Sequence, residues 1–227
     1  DYGCTKDSYF IVMEYYPTTF KTWRRSFTEK PPLSTMLRMY REFLNTATVL
    51  VDRRINHFDI KCDNVMLDRN GIPALSDFGE SMCYKDERNC RTLLNKGTEW
   101  IKSPEMLSIA LTSTATNPNF DRRKKIGAGP ESDIWSIGCL FFELLTGRFL
   151  FSTTDWSFFY TRVTNEGPVC EPKYKKELEE LGCKNGEAFL EFVLKRSVIT
   201  RPNLQQITAK FDELFPEAKT APLPQII

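Results

Sequence analysis

The chain has 227 residues, enough for one domain with a sizeable core. Apolar residues make up 41% and the net charge is +1, which excludes a disordered chain and offers no charge imbalance that would point to nucleic acid or a membrane surface. The longest apolar run, Ile137 to Leu145, is interrupted by Glu143 and is too short to span a bilayer.

The first predicted element is a strand from Tyr9 to Tyr16, rich in aromatic and β-branched residues and stopped by Pro17. A short helix is expected from Phe20 to Arg25. Pro31, Pro32 and Ser34 predict the start of a longer helix, with Ser34 as its N-cap. Leu37, Tyr40, Leu44, Ala47 and Val51 recur at helical spacing and carry it to about Asp52. Asn64 to Leu67 and Ile72 to Leu75 read as strands of a hairpin turned at Arg69-Asn70-Gly71.

Residues 80 to 100 are polar and read as a long loop. Pro104 and Glu105 open a short helix. Residues 112 to 131 read as a flexible insertion holding Arg122, Arg123, Lys124 and Lys125, a charge run that is either a solvated face or a dock for an acidic partner. Ser132 is expected to cap an apolar helix that runs to Thr146 and ends at Gly147. Further helices are expected around Thr154 to Glu166, Lys173 to Leu181, Gly186 to Leu194 and Asn203 to Phe215. Pro216 to Ile227 holds three prolines and reads as a linker. The predicted fold class is α+β, mainly α-helical, with a small β element near the front.

Seven cysteines, none in a CxxC pair, predict free thiols in a reducing, cytoplasmic compartment. Zinc is a poor alternative, because His57 is the only histidine. No secretory signal is visible. The chain begins at Asp1 without a methionine, so its natural start is expected upstream.

One constellation carries chemistry. His57 precedes Asp59-Ile60-Lys61-Cys62-Asp63-Asn64, and Asp77-Phe78-Gly79 follows. This pair of motifs resembles the catalytic loop and metal-binding segment of eukaryotic-type protein kinases. Phosphoryl transfer asks for a positioned hydroxyl, neutralised phosphate charge and in-line geometry. The resemblance implies that Asp59 is the base, that Lys61 holds the transferred phosphate, and that Asn64 and Asp77 bind magnesium. ATP and Mg are therefore the implied cofactors, and a protein is the implied substrate.

The resemblance extends over nearly the whole chain. Tyr9 to Tyr16 is similar to the last small-lobe strand and hinge. Met13 would then be the gatekeeper, the backbone of Glu14 and Tyr15 would meet the adenine, and Met66 would form the floor beneath it. Gly97-Thr98-Glu99-Trp100-Ile101-Lys102-Ser103-Pro104-Glu105 resembles the end of an activation segment. Thr98 would hydrogen-bond Asp59 and Lys61. Asp133-Ile134-Trp135-Ser136-Ile137-Gly138 resembles the start of the central buried helix, where Asp133 would anchor the catalytic-loop backbone. Arg201 would pair with Glu105. His57 is either a base or, as the family implies, a packed support. Phe78 and Trp135 are expected in the core.

The implied organisation is the end of a small lobe and hinge at 1–16, a large lobe at 17–215, and a linker or tail at 216–227. Flanking domains are possible, and nucleic acid and a membrane segment are not expected. No glycine-rich loop or strand lysine stands before His57, so an isolated chain is expected to be a poor catalyst. Lys61 and Gly97-Thr98 resemble the serine/threonine branch, with a tyrosine or dual-specificity kinase as the rival. Phe58 stands where many members carry arginine, so strict dependence on phosphorylation is not expected. Phe20 falls where an acidic residue often binds the ribose. The alternative is a non-catalytic, kinase-like scaffold, against which the intact Asp59, Lys61, Asn64 and Asp77 argue.

Overall fold

The most deeply buried helix organises the fold. The computed structural model describes residues 1–86, 90–114 and 127–226. The chain starts with an antiparallel hairpin, β1 (Tyr2–Cys4) and β2 (Tyr9–Ile11), and reaches β3 (Thr18–Thr19) through an extended stretch. Only the front of the strand expected at Tyr9 to Tyr16 forms, because Val12 to Tyr16 has no second strand to pair with beyond Asp1.

Helix α1 spans Phe20–Arg25, as its sequence predicts, and Thr19 caps it by accepting from the Thr22 amide. Helix α2 (Leu33–Arg53) starts after Pro32 rather than after Ser34. Pro32 lacks an N–H and sits at the N-cap, so Ser34 falls within the first turn. Its core stripe includes Leu37, Tyr40, Leu44, Ala47 and Leu50, while Val51 is exposed. Leu50 lies three residues from Ala47 and takes the inward position that Val51 would have held.

Strand β4 (Ile55–Asn56) pairs with the later β7 (Met82–Cys83). Strands β5 (Val65–Leu67) and β6 (Pro73–Leu75) form the expected hairpin, and β3 adds to its edge. Asp68 closes the turn by accepting from the amides of Asn70 and Ile72.

Helix α3 (Pro104–Thr114) is longer than its sequence suggests. The run Arg122 to Lys125 lies outside the described residues. Helix α4 (Pro130–Thr146) is buried on every side from Ser132 to Thr146, as an apolar helix must be. It begins at Pro130 with Gly129 as N-cap, so Ser132 is not the cap. The Ser132 hydroxyl is engaged instead with Ser103 and Glu105. Gly147 ends the helix in the left-handed region (φ 77°).

Helices α6 (Pro172–Glu180) and α7 (Gly186–Val193) pack on α4, α8 (Leu204–Leu214) packs on α2 and α7, and α5 (Trp156–Thr164) packs on α3. Tyr40, Phe141, Phe189 and Phe211 meet edge-on or tilted, with ring centroids 4.8 to 6.2 Å apart. The Tyr40 hydroxyl, fully buried, donates to the Ile137 carbonyl at 2.9 Å and so joins α2 to α4.

The end of the chain is not a free linker. Ala218 is buried, Leu223 and Ile226 pack on the core, and the Ile226 amide donates to the Arg69 carbonyl at 2.9 Å. All seven cysteines are free thiols, and five of them are buried. The result is an α+β architecture, mainly helical, with its small strands around the segment that carries Asp59.

Candidate active site

The segment from His57 to Asn64 is a loop, so its backbone amides need partners from elsewhere. Helix α4 supplies them. Asp133 accepts from the amides of His57 at 2.6 Å and Phe58 at 2.7 Å. Glu143 accepts from the Cys62 amide at 2.9 Å. Helical rise puts these two carboxylates roughly 15 Å apart along α4, so they hold the loop at two separate points. Neither makes an ion pair among the described residues, although Glu143 shares a small pocket with Lys21, Arg24 and Arg25. Burial pushes the Asp133 carboxyl up to about 7, partly offset by the two amides. Burial likewise raises Glu143, offset by the Cys62 amide.

The other side of the loop is arranged around Asp59. Its Oδ1 accepts from the Thr98 amide at 2.8 Å. Its Oδ2 accepts from Lys61 Nζ at 2.8 Å and Asn64 Nδ2 at 3.0 Å. Lys61 Nζ also donates to Thr98 Oγ1 at 2.6 Å. Burial alone would raise the Asp59 carboxyl, but the hydrogen bonds from Lys61 and Thr98 outweigh it and hold it below the ordinary carboxylate value. Asp59 is therefore ionised at neutral pH. A carboxylate has about four acceptor positions, and among the described residues the Thr98 amide, Lys61 and Asn64 take three, with one of them on Oδ1.

His57 is not a free base. It is fully buried, its Nδ1 accepts from the Asp59 amide at 3.2 Å, and its Nε2 lies 3.0 Å from the Ser76 carbonyl. The two contacts define a neutral ring with the proton on Nε2. Burial lowers its pKa further, against the Ser76 and Asp59 contributions. Phe78 packs on this ring at 4.8 Å but is 46% exposed, contrary to its expected place in the core. It follows Asp77, whose left-handed backbone (φ 60°) starts a surface turn.

The hairpin brings Asn64 and Asp77 near one another. Beyond the Val65–Leu75 pair, Ser76 donates both its amide and its hydroxyl to the Asn64 carbonyl at 2.9 Å. Asn64 uses its side-chain amide on the Asp59 carbonyl and carboxylate. Its Oδ1 has no hydrogen bond among the described residues. Asp77 is exposed and, among the described residues, accepts only from the Gly79 amide, at 3.4 Å. An amide oxygen and a carboxylate are hard donors that fit magnesium, an ion that keeps most of its shell for water and phosphate.

The expected adenine contacts are less closely joined. Met66 lies on β5, half-buried, paired with Thr19 and Ala74. Met13 and Tyr15 are exposed in the stretch leading to β3, and Glu14 accepts from the Tyr16 hydroxyl. Backbone continuity through β3 connects that stretch to Met66, but no side-chain contact ties it to Asp59.

The activation-segment side is held firmly. Arg201 pairs with both Glu105 oxygens at 2.7 and 2.9 Å. Burial raises the Glu105 carboxyl, and Arg201 more than reverses this. Trp135 is fully buried, stacks on Phe151 at 5.5 Å and lies under the Arg201 guanidinium at 5.4 Å. Phe58 sits with Met106, Ile109, Ala128 and Met82 in a separate apolar cluster.

Two features were missed by sequence reasoning. Glu143 stood out only as a charge interrupting an apolar run, and that oddity was its signal. Gly97 was part of a motif, but its necessity is geometric. Its φ is +76°, and a Cβ there would lie 2.0 Å from the Phe58 carbonyl.

A family model described as "Protein kinase domain" matches residues 1–211. A Dictyostelium discoideum protein named "Probable serine/threonine-protein kinase" is 39% identical over 239 residues, covering 95% of this chain and 10% of that protein. Mitogen-activated protein kinase kinase kinase 5 of Arabidopsis thaliana is 25% identical over 203 residues, covering 89% of this chain and 26% of that protein. The chain thus spans a small part of either relative. Among solved structures, a chain of the yeast RNA Pol II CTD kinase CTDK-1 complex superposes with a TM-score of 0.69 at 16% identity, covering 92% of this chain and 72% of that one. This likeness concerns the fold.

Proposed function

The chain belongs to the protein kinase domain family, and on that premise we propose that it is the catalytic large lobe of a serine/threonine kinase, acting on protein hydroxyls with ATP. The observation that carries this reading is the Asp59 carboxylate, held by Lys61, Asn64 and Thr98 with one acceptor position on Oδ1 open. There it would orient the substrate hydroxyl and take up its proton. Lys61 Nζ, bonded to the Asp59 carboxylate, lies beside that position and would steady the transferred phosphoryl group. Asn64 Oδ1 and the Asp77 carboxylate are the oxygens that would hold magnesium. When bound, the metal supplies charge neutralisation to the phosphates.

Lys61 and the Gly97-Thr98 pair support serine/threonine over tyrosine specificity. Met13, Glu14, Tyr15 and Met66 remain the proposed adenine contacts. The free thiols support a reducing, intracellular setting.

The test is phosphoryl transfer from labelled ATP by the full-length protein and its Asp59→Asn variant. Loss of the base is expected to reduce turnover by about 10²–10⁴-fold. Unchanged turnover would falsify the assignment, and phospho-amino-acid analysis of the product decides the hydroxyl class.

A further inference from the structure

A cavity of about 880 Å³ opens between α2, α4 and α8, a size within the range of about 300–1,000 Å³ found for small-molecule sites. None of Asp59, Lys61, Asn64 or Asp77 lines it. Its apolar wall includes Ala47, Val51, Ile55, Ile134, Ile137 and Leu204.

The polar part of the wall is unbalanced. Asn56, 1% exposed, donates its amide to the Cys90 carbonyl at 2.7 Å, and its own Oδ1 is buried without a hydrogen-bond partner. Glu131 pairs through Oε1 with Arg91 at 2.6 Å, and its Oε2 is also buried without a partner. Asp52 lines the cavity, is exposed, and makes no ion pair among the described residues. Arg201 is the only basic lining residue among the described residues. All five of its donors are engaged, on Glu105 and on the carbonyls of Glu131, Lys195 and Arg196. Asp212, also in the wall, is paired with Arg41 and Lys219, so among the described residues the wall leaves Asn56 Oδ1 and Glu131 Oε2 without a hydrogen-bond partner and the Asp52 carboxylate without an ion pair.

We propose that this cavity binds a small amphipathic molecule with an apolar body and a protonated amine. The apolar wall would take the body, and the amine would meet the unanswered acceptors around Asn56, Glu131 and Asp52. Asp133 also lines the cavity, and its carboxylate holds the amides of His57 and Phe58. An occupant thus touches the group that fixes the catalytic loop, and occupancy is read at those two amides.

The experiment is a calorimetric titration of the chain with decylamine, decanol and decanoate, each below its micelle concentration, with hydrogen exchange at residues 57 and 58. Saturable decylamine binding is expected, about tenfold or more tighter than decanoate, with decanol between them and with altered exchange at the two amides. Ala209→Trp and Thr48→Trp, both at exposed positions of the wall on α8 and α2, are expected to weaken it by about tenfold without changing the melting profile. Absence of saturation, equal affinity for the three probes, unaltered exchange at residues 57 and 58, or unchanged binding in both tryptophan variants overturns the proposal. The readout is binding, so failure here leaves the phosphoryl-transfer reading untouched.

Discussion

The two sides of the catalytic loop use carboxylates in opposite ways. On the side facing Thr98, Asp59 accepts from a cation, an amide side chain and a backbone amide, and these keep it ionised despite partial burial. On the side facing α4, Asp133 and Glu143 are buried with backbone amides as hydrogen-bond partners, and burial raises both. On the proposed reading, the difference separates chemistry from support. A carboxylate beside a lysine retains its charge and would be ready for a substrate proton. A carboxylate that only collects amides acts as a clamp, and its charge is incidental.

Removing the clamp should have the largest effect on stability. Asp133→Ala leaves the buried amides of His57 and Phe58 without an acceptor, at ~1–3 kcal/mol each. A loss of about 2–6 kcal/mol in urea denaturation is expected, whereas Asp59→Asn should change stability far less while removing activity. Similar losses for the two variants would erase the distinction between the sides.

Dependence on pH sharpens the same contrast. A carboxyl whose pKa is raised on folding binds its proton more tightly in the folded state. The stabilising contribution of Asp133 is therefore complete below its ordinary value of 3.8 and is lost as pH rises to about 7. Asp59 and Glu105, held low, contribute at neutral pH and lose that contribution as pH falls through the ordinary carboxylate range. Denaturation profiles between about pH 5 and 8 should show a decline that Asp133→Asn flattens, by up to ~3 kcal/mol at 1.36 kcal/mol per pKa unit, because about two units of the shift fall in that window. Parallel profiles for the two proteins would mean that Asp133 does not titrate there.

A gentler probe is Glu143→Gln. The amide oxygen can still accept from the Cys62 amide, so a change within about 1 kcal/mol and retained turnover are expected. A large loss would show that charge, not hydrogen bonding, holds that end of the loop. The smallest effect is expected for Ser81→Ala. Phe58 is packed against Met106, Ile109 and Ala128, so the segment meets an apolar surface instead of a cation awaiting phosphate. Turnover should hardly change, and its abolition would sink this view of the segment.

Much of the site was legible before any coordinates. Asp59, Lys61, Asn64 and Thr98 meet as their motifs imply, Asp133 anchors the loop, and Glu105 pairs with Arg201. Helix α1 and the β5–β6 hairpin were also readable, because local spacing and turn chemistry suffice for them. The failures share a cause. Ser34 and Ser132 look like caps, yet a neighbouring proline or a distant Glu105 decided their roles. The tail looks like a linker because prolines dominate it, while its few apolar residues find a surface made by remote segments.

The sequence alone therefore determined the helical pattern, the family and the identity of the proposed reactive groups, since each depends on residue type and short spacing. Only the tertiary structure decided that Glu143 supports the loop, that Gly97 must lack a side chain, that Phe78 is exposed and that His57 is committed on both ring nitrogens. Those outcomes depend on which atoms from distant segments come within a few ångströms, and residue spacing along the chain does not encode that distance.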